Sequence, residues 1–314
     1  MNCAPVLIAT VNRYEHFREC LESLSRCTWA DNTDVYVAVD YPGREEHWEG
    51  FRKIKEYLTN RGDVGFRSLN VIYRESNYFY SGKGNLKCLR NEVFKFTDRV
   101  IISEDDNVFS KNFLVYMNKG LQKYENDHTV LALNGFCSPY NFRFNDNNCF
   151  RQNVDFSTWG YGIWKDRVCE YEQTITKQYL RSNMMSKLFA LRKNGYYRIY
   201  QYLALAMGRS QIAFTDNTLS LYMTLSCKTV IMPKFTKVIN KGWDGTGIHC
   251  QEKSKANKYL FQTLDSDAYF EFLGNDWSFF KDNCKTCVKE NVNRWGCAKF
   301  LITILKDIIS RLYA

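Results

Sequence analysis

The sequence predicts an α/β protein with a mostly parallel central sheet flanked by helices on both faces. Short apolar runs alternate with amphipathic segments of helical period over residues 5 to 126. Two of the runs stop abruptly at acidic residues, Asp40 and the triplet Glu104-Asp105-Asp106. With 314 residues, 45% hydrophobic content and only four prolines, the chain can bury a large core, and no linker, repeat or low-complexity tract divides it.

Pro5 to Ala9 is an unbroken apolar run of strand length, and within Tyr14 to Cys27 the residues Phe17, Cys20, Leu21 and Leu24 recur at helical spacing. Asp34 to Val39 alternates as a strand does and ends at Asp40, just before the turn signal Tyr41-Pro42-Gly43. Trp48, Phe51, Ile54 and Leu58 mark a helix, Leu69 to Tyr73 a third strand, and Asn85 to Phe96 another helix. Val100 to Ile102 is the fourth strand, with a helix expected over Lys111 to Lys123 and a further strand over Thr129 to Leu133. From Tyr140 to Trp164 aromatic residues accumulate and regular period is lost, so a less regular second half is expected. Helical period returns over Tyr196 to Met207 and Asp216 to Ser226, and Thr229 to Met232 is strand-like, ending at Pro233. The loop Asn240 to His249 then carries three glycines in ten residues, which permits close backbone approach to a ligand, and one of the chain's four histidines.

The 43 basic and 34 acidic residues give a formal charge of +9, which favours polyanionic partners. No nucleic-acid motif or Lys/Arg block is present, so nucleic acid is not among the expected partners. Twelve cysteines occur in a long chain; Cys20, Cys88 and Cys169 sit in helix-like, partly apolar contexts suited to reduced core residues. Cys284 and Cys287 form a single CxxC followed by Cys297, fewer ligands than a structural zinc site usually shows. Met1 to Pro5 leads directly into Val6 to Ala9, too short a run for a signal peptide or anchor, and a cytoplasmic location is expected. The segment Trp295 to Tyr313 is amphipathic, interrupted by Lys299, Lys306 and Arg311, and is unsuited to spanning a bilayer. Two readings stand for residues 295–314: an interfacial helix held peripherally at the inner face of a membrane, or a helix docked on the protein's own core.

The sharpest local feature is the passage of Val100-Ile-Ile-Ser103 into Glu104, Asp105 and Asp106. In open α/β sheets, ligands bind outside the carboxyl ends of strands. Three carboxylates in such a crevice repel one another unless a hard divalent cation or a ribose hydroxyl takes up their charge. The alternative is a solvated acidic turn that opens the following helix.

Taken in order, Thr10-Val-Asn-Arg13 after the first strand, Asp40 after the second, and Val100-Ile-Ile-Ser-Glu-Asp-Asp-Asn107 with Phe113 behind it resemble the GT-A glycosyltransferases. The resemblance is to the N-acetylglucosaminyltransferase I group and its bacterial relatives. It extends through Ser157-Thr-Trp-Gly-Tyr-Gly-Ile-Trp-Lys165, Phe214-Thr-Asp-Asn217 and the closing Gly-rich loop, and so covers residues 5 to 250. It implies a GT-A fold divided into a nucleotide-sugar-binding half (1–126) and an acceptor-binding and catalytic half (127–250); residues 251–314 lie outside the resemblance and are expected to form a C-terminal helical extension. It also implies a nucleoside diphosphate sugar donor, a glycan or lipid-linked acceptor, and Mn²⁺ or Mg²⁺. Laid on matching positions, Thr10, Arg13 and Asp40 would hold base and ribose, and Glu104 and Asp105 would lie by ribose and sugar. Asp106 would bind the metal, and Lys83 would touch the donor. His249 would close over the diphosphate as a contact or metal ligand, Asp216 would be the general base, and Trp159 and Gly160 would face the acceptor.

The chemistry is consistent with those roles. Departure of a nucleoside diphosphate develops charge on phosphate oxygens, which a divalent ion with oxygen ligands stabilises. An Asp facing the acceptor hydroxyl serves as base, and a single displacement inverts the anomeric centre, with a double displacement giving the retaining alternative. Plain structural readings stand beside each: Asp216 as a helix N-cap, Asp40 as the start of a turn, Arg13 as a solvated helix-start residue, Trp159 as a core aromatic, His249 as a hydrogen-bonded loop residue. Two other functions compete. A sugar-1-phosphate nucleotidyltransferase would need a Gly-rich loop after the first strand, and Ala9 to Arg13 contains no glycine. A non-catalytic glycan- or membrane-binding protein would have no need of both the acidic triplet and Asp216.

Overall fold

The computed structural model describes residues 3–62, 65–144, 149–244, 264, 270–272, 277–294, 302, 303 and 306, and a single eight-stranded sheet runs through both halves of the chain. In chain order the first half gives β1 (Val6–Thr10), α1 (Tyr14–Ser25), β2 (Asp34–Val39), α2 (His47–Arg61), β3 (Ser68–Tyr73), α3 (Asn85–Val93), β4 (Arg99–Glu104), β5 (Asn107–Phe109) and α4 (Phe113–Lys123). The second half gives β6 (Val130–Asn134), β7 (Cys149–Gln152), β8 (Tyr161–Trp164), α5 (Lys165–Thr174), α6 (Lys177–Arg181), α7 (Met184–Leu191), α8 (Tyr196–Ala206), α9 (Asp216–Leu225), β9 (Thr229–Pro233), β10 (Val238–Asn240) and α10 (Phe280–Arg294).

The strand order is β3-β2-β1-β4-β8-β6-β9-β7. Pairing is parallel among β3, β2, β1 and β4 and between β6 and β9, while β8 and β7 run against their neighbours. This is the mostly parallel α/β sheet expected, flanked by helices on both faces. Side chains alternate across it with the strand period: Val6, Ile8, Val35, Val37 and Ile101 face one apolar layer, and Leu7, Ala38, Val100 and Ile102 the other. Helices α1, α2 and α4 cover the first layer through Phe17, Leu21, Ile54 and Met117, whereas α3, α5, α8 and α9 cover the second through Leu89, Val168, Tyr202 and Leu219.

Three details depart from the sequence reading. The acidic triplet does not open α4, because β5 intervenes and Asn112 occupies that helix's N-cap. Cys169 is exposed rather than in the core, while Cys20 is fully buried and Cys88 half-buried. The aromatic stretch after Tyr140 contains β7 and β8, which pair antiparallel with their neighbours, β8 inside the sheet and β7 at its edge, and are too short to show a period.

The CxxC pair lies on α10, whose Cys287 is buried against the second core layer, while the Cys284 thiol meets Asn153 Oδ1 at 3.3 Å. The same helix is pinned to the loop after β6 by Asn283, which accepts from Arg143 N and donates to Arg143 O. His249 and most of residues 295–314 lie outside the described residues. Among the described residues no helix is long and apolar enough to cross a membrane.

Candidate active site

Because β1, β2 and β4 are parallel neighbours, their carboxyl ends open on one edge, with Thr10 beside Val39 and Ala9 beside Glu104. At that edge β4 turns through Asp105 and Asp106 into β5, which pairs antiparallel with β10 so that Asn107 faces Asn240. The acidic turn is thereby held from two sides. Lys241 N donates to the Asp106 carbonyl at 2.8 Å, and Asn240 Nδ2 donates to Asp106 Oδ1 at 2.5 Å.

Thr10 Oγ1 donates to Asp105 Oδ2 at 2.7 Å. Arg13, the residue preceding α1, turns its guanidinium onto both aspartates, donating from Nη1 to Asp106 Oδ2 at 2.7 Å and from Nη2 to Asp105 Oδ1. It is therefore the fixed counter-ion of the turn and no solvated helix-start residue. Burial pushes the Asp105 carboxyl up against the opposing pull of Arg13, with Asp106 adding to the rise. Burial and then the negative charges of Asp106, Asp105 and Asp216 push Glu104 up to about 7, although Thr158 Oγ1 donates to its Oε1 at 2.9 Å.

Gly242 shows why this loop carries glycine: a Cβ there would stand 2.1 Å from Asp106 Oδ2, so only a bare backbone can close on the carboxylate. Gly242 N also donates to Asn240 Oδ1 at 2.9 Å, which fixes the Asn240 amide toward the turn. The close backbone approach that the loop's glycines permit is made here to Asp106.

Asp40 lies at the end of β2, next to Thr10, but its carboxylate accepts three main-chain N–H groups: Tyr41 at 2.9 Å, Tyr78 at 2.8 Å and Phe79 at 3.1 Å. In this structure it anchors the loop between β3 and α3 as well as the turn it begins. Lys83 is exposed on that same loop, with Nζ 4.9 Å from the Tyr78 ring centroid.

Glu104 links the acidic turn to a cleft of about 270 Å³ lined by, among others, Phe136, Asp155, Thr158, Trp159, Asp216 and Trp243. Asp216 is not the N-cap of α9. Thr215 takes that role, accepting from Thr218 N in a capping box, and Asp216 is the next residue, exposed, with Oδ1 accepting from Asn217 N at 2.7 Å. Trp159 is half-buried, edge-on to Phe136 at 4.6 Å and to Trp243 at 6.1 Å, and belongs to both the cleft wall and the packing beneath it. Gly160, expected at the acceptor, is buried: φ is +65°, its carbonyl accepts from Gly135 N at 2.7 Å, and a Cβ would meet Val238 Cγ2 at 2.8 Å. Its role is close packing, because the β8 entry must pass Val238 and Phe113 without a side chain.

The structure thus brings Thr10, Arg13, Glu104, Asp105 and Asp106 into one network, sets Asp40 and Lys83 beside it, and places Asp216 and Trp159 in the adjoining cleft. Asn240, Gly242, Thr158 and Trp243 belong with them and were not singled out in the sequence. The signal for three of the four was the Gly-rich loop itself, whose start, rather than its distant histidine, holds the acidic turn.

The oxygen donors of Glu104, Asp106 and Asn240 suit a hard divalent ion, and three carboxylates against one guanidinium leave negative charge that such an ion would balance. The donor chemistry fits, with one condition: Arg13 holds Asp106 Oδ2 and must yield for a metal to bind there. Among the described residues no three His, Cys, Asp or Glu side chains already converge on a metal-sized point.

No known family's profile matches the chain, and no curated protein is similar to it in sequence. Among solved structures, it is similar to a mannosyltransferase of Pyrobaculum calidifontis in complex with GDP-Man and Mn²⁺, at 11% identity and a TM-score of 0.37 over 71% of this chain and 70% of that one. It is also similar to Staphylococcus aureus TarS 1–349, at 15% identity and a TM-score of 0.34 over 55% of this chain and 49% of that one. The same TarS fragment in complex with UDP gives 14% identity and a TM-score of 0.34, over 63% and 55%. The chain spans about half the length of the TarS fragment. At these identities the likeness bears on neither activity nor substrate.

Proposed function

We propose that this chain is a GT-A glycosyltransferase that moves a sugar from a nucleoside diphosphate donor to a glycan or lipid-linked acceptor, with inversion, in surface polysaccharide synthesis. The observation that carries this reading is the continuity of the acidic turn with the cleft: Glu104 accepts a hydrogen bond from Thr158 of the cleft wall, and its carboxyl is raised first by burial and then by Asp106 of the turn, with a smaller contribution from Asp216 of the cleft. A donor seated at the sheet edge would therefore present its sugar to an acceptor in the cleft.

In this reading Thr10 and Arg13 hold the donor at the ends of β1, and Asp40 keeps the Tyr78–Phe79 loop in place beside it. Asp106, with Asn240 and Glu104, would hold Mn²⁺ or Mg²⁺, which when bound would neutralise charge on the departing diphosphate. Arg13, released from the aspartates, has the charge and fork geometry to take up a phosphate oxygen. Asp216 removes the acceptor's proton, and Trp159 and Trp243 offer faces on which a pyranose ring stacks. His249 and membrane contact through residues 295–314 remain parts of the proposal that rest on the sequence. The test is incubation with a panel of sugar nucleotides with and without Mn²⁺. Metal-dependent release of nucleoside diphosphate from one or two of them is the expected result, and no release from any donor, with acceptor mixtures present, defeats the proposal.

A further inference from the structure

Between Glu172 and Asp216 the sequence holds seven Lys and Arg and no Asp or Glu, in a chain where the two classes number 43 and 34. The structure folds this stretch into α6, α7 and α8, anchored inward by Leu180, Leu191 and Tyr202. Its outer side is unlike an ordinary solvated surface. Met185 and Phe189, one turn apart on α7, are 79% and 61% exposed, and Met207, just past α8, is 50% exposed. Around them Lys177, Arg181, Arg192 and Lys193 are all exposed. Arg181 Nε donates to the Ala206 carbonyl at 2.8 Å, which sets its charge beside Met207, and the Arg192 guanidinium lies 3.5 Å from the centre of the Phe189 ring.

Apolar side chains left in water, in a stretch whose own charged residues are all cations, match the two forces that hold a protein to an anionic bilayer: burial of a few apolar groups at the headgroup boundary and attraction of Lys and Arg to negative headgroups. A nucleic acid would account for the charges but not for Met185, Phe189 and Met207. We propose that the α6–α8 face, residues 177–209, is a docking surface for an anionic lipid bilayer, with Met185 and Phe189 entering the headgroup boundary and the four exposed cations lying over lipid phosphates. This surface stands apart from the transferase reading and from residues 295–314. Since Tyr197 and Arg198 of α8 also line the cleft, docking through this face would hold one cleft wall close to the membrane.

The experiment is co-sedimentation of the full chain with vesicles of phosphatidylcholine alone and of phosphatidylcholine with phosphatidylglycerol. Binding is expected only to the anionic vesicles and should weaken as salt rises. Removing charge by Arg192→Gln with Lys193→Gln should lower the partition about 25-fold, about fivefold per charge, and Met185→Ser with Phe189→Ser about tenfold or more. All four sites are exposed, so thermal unfolding should match the parent and exclude misfolding as the cause. Equal binding to neutral vesicles, or no binding to anionic ones, overturns the proposal. So does loss of binding in Lys299→Gln with Lys306→Gln when the α7 substitutions have no effect, or an RNA gel shift abolished by the α7 substitutions in a chain that ignores vesicles.

Discussion

Replacing Arg13 with Ala removes the cation that bridges Asp105 and Asp106 and leaves two buried carboxylates facing each other. Breaking a fully buried ion pair by deleting one partner costs about 3–5 kcal/mol, since the remaining charge has lost both its water and its partner. The Arg13 side chain is 24% exposed, so water entering the vacated space offsets part of that, leaving about 2–3 kcal/mol. For a chain of 314 residues that corresponds to a fall in Tm of about 3–5 °C. The deficit also depends on pH in a defined direction. Burial already holds the Asp105 carboxyl above its ordinary range with Arg13 pulling it down, and without Arg13 it rises further. A carboxyl whose folded pKa exceeds its unfolded one binds protons better when folded, so it costs stability above the folded pKa and the cost fades as pH falls toward the unfolded value. Differential scanning fluorimetry of Arg13→Ala should therefore show its largest deficit near neutral pH and a smaller one at about pH 5. Arg13→Lys, which keeps the charge without the two-pronged fork, should fall between. An unchanged Tm, or a deficit that widens on acidification, refutes the reasoning.

Asp216→Asn should leave nucleoside diphosphate binding intact while lowering turnover by about 10²–10⁴-fold, as loss of a general base does, and normal turnover would remove Asp216 from that role. Asp40→Ala should free the Tyr78 and Phe79 amides, raising their hydrogen exchange about tenfold or more while the amides within β2 stay protected; unchanged exchange would show that the carboxylate is not the loop's anchor. Gly160→Ala must adopt a left-handed backbone and meet Val238, and should lower stability by about 2–3 kcal/mol in urea titration; an unaltered midpoint would contradict the packing role.

Much of the fold was legible because the first half obeys one rule per element. Val6 to Thr10 and Arg99 to Glu104 are largely buried on both faces and read as apolar runs, Asp34 to Val39 reads as an alternating strand because Asp34 and Tyr36 are only partly buried, and Phe17, Cys20, Leu21 and Leu24 repeat at the helical period because only one side of α1 meets the sheet. The acidic turn was legible for the same reason, since a strand that stops in three carboxylates cannot continue into a core. What escaped notice were elements stabilised by partners distant in sequence. Strand β5 has three residues and exists because β10, some 130 positions on, pairs with it, as the register of Asn107 with Asn240 shows. Gly160 sits in a motif suggestive of an acceptor site, but the left-handed turn it makes is dictated by Val238 and Phe113, which local sequence does not reveal. Helix α7 hid for a different reason: Met184, Met185, Leu188, Phe189 and Leu191 are apolar on more than one face, so no clean amphipathic period marks it.

Isothermal titration of a nucleoside diphosphate into the wild-type chain and into Asp106→Ala, each with and without Mn²⁺, bears most directly on the proposed role of the acidic turn. Heat of binding from the wild type only when Mn²⁺ is present, and none from Asp106→Ala, is the predicted outcome. Equal binding without the ion, or an Asp106→Ala variant that binds as the wild type does, would contradict it.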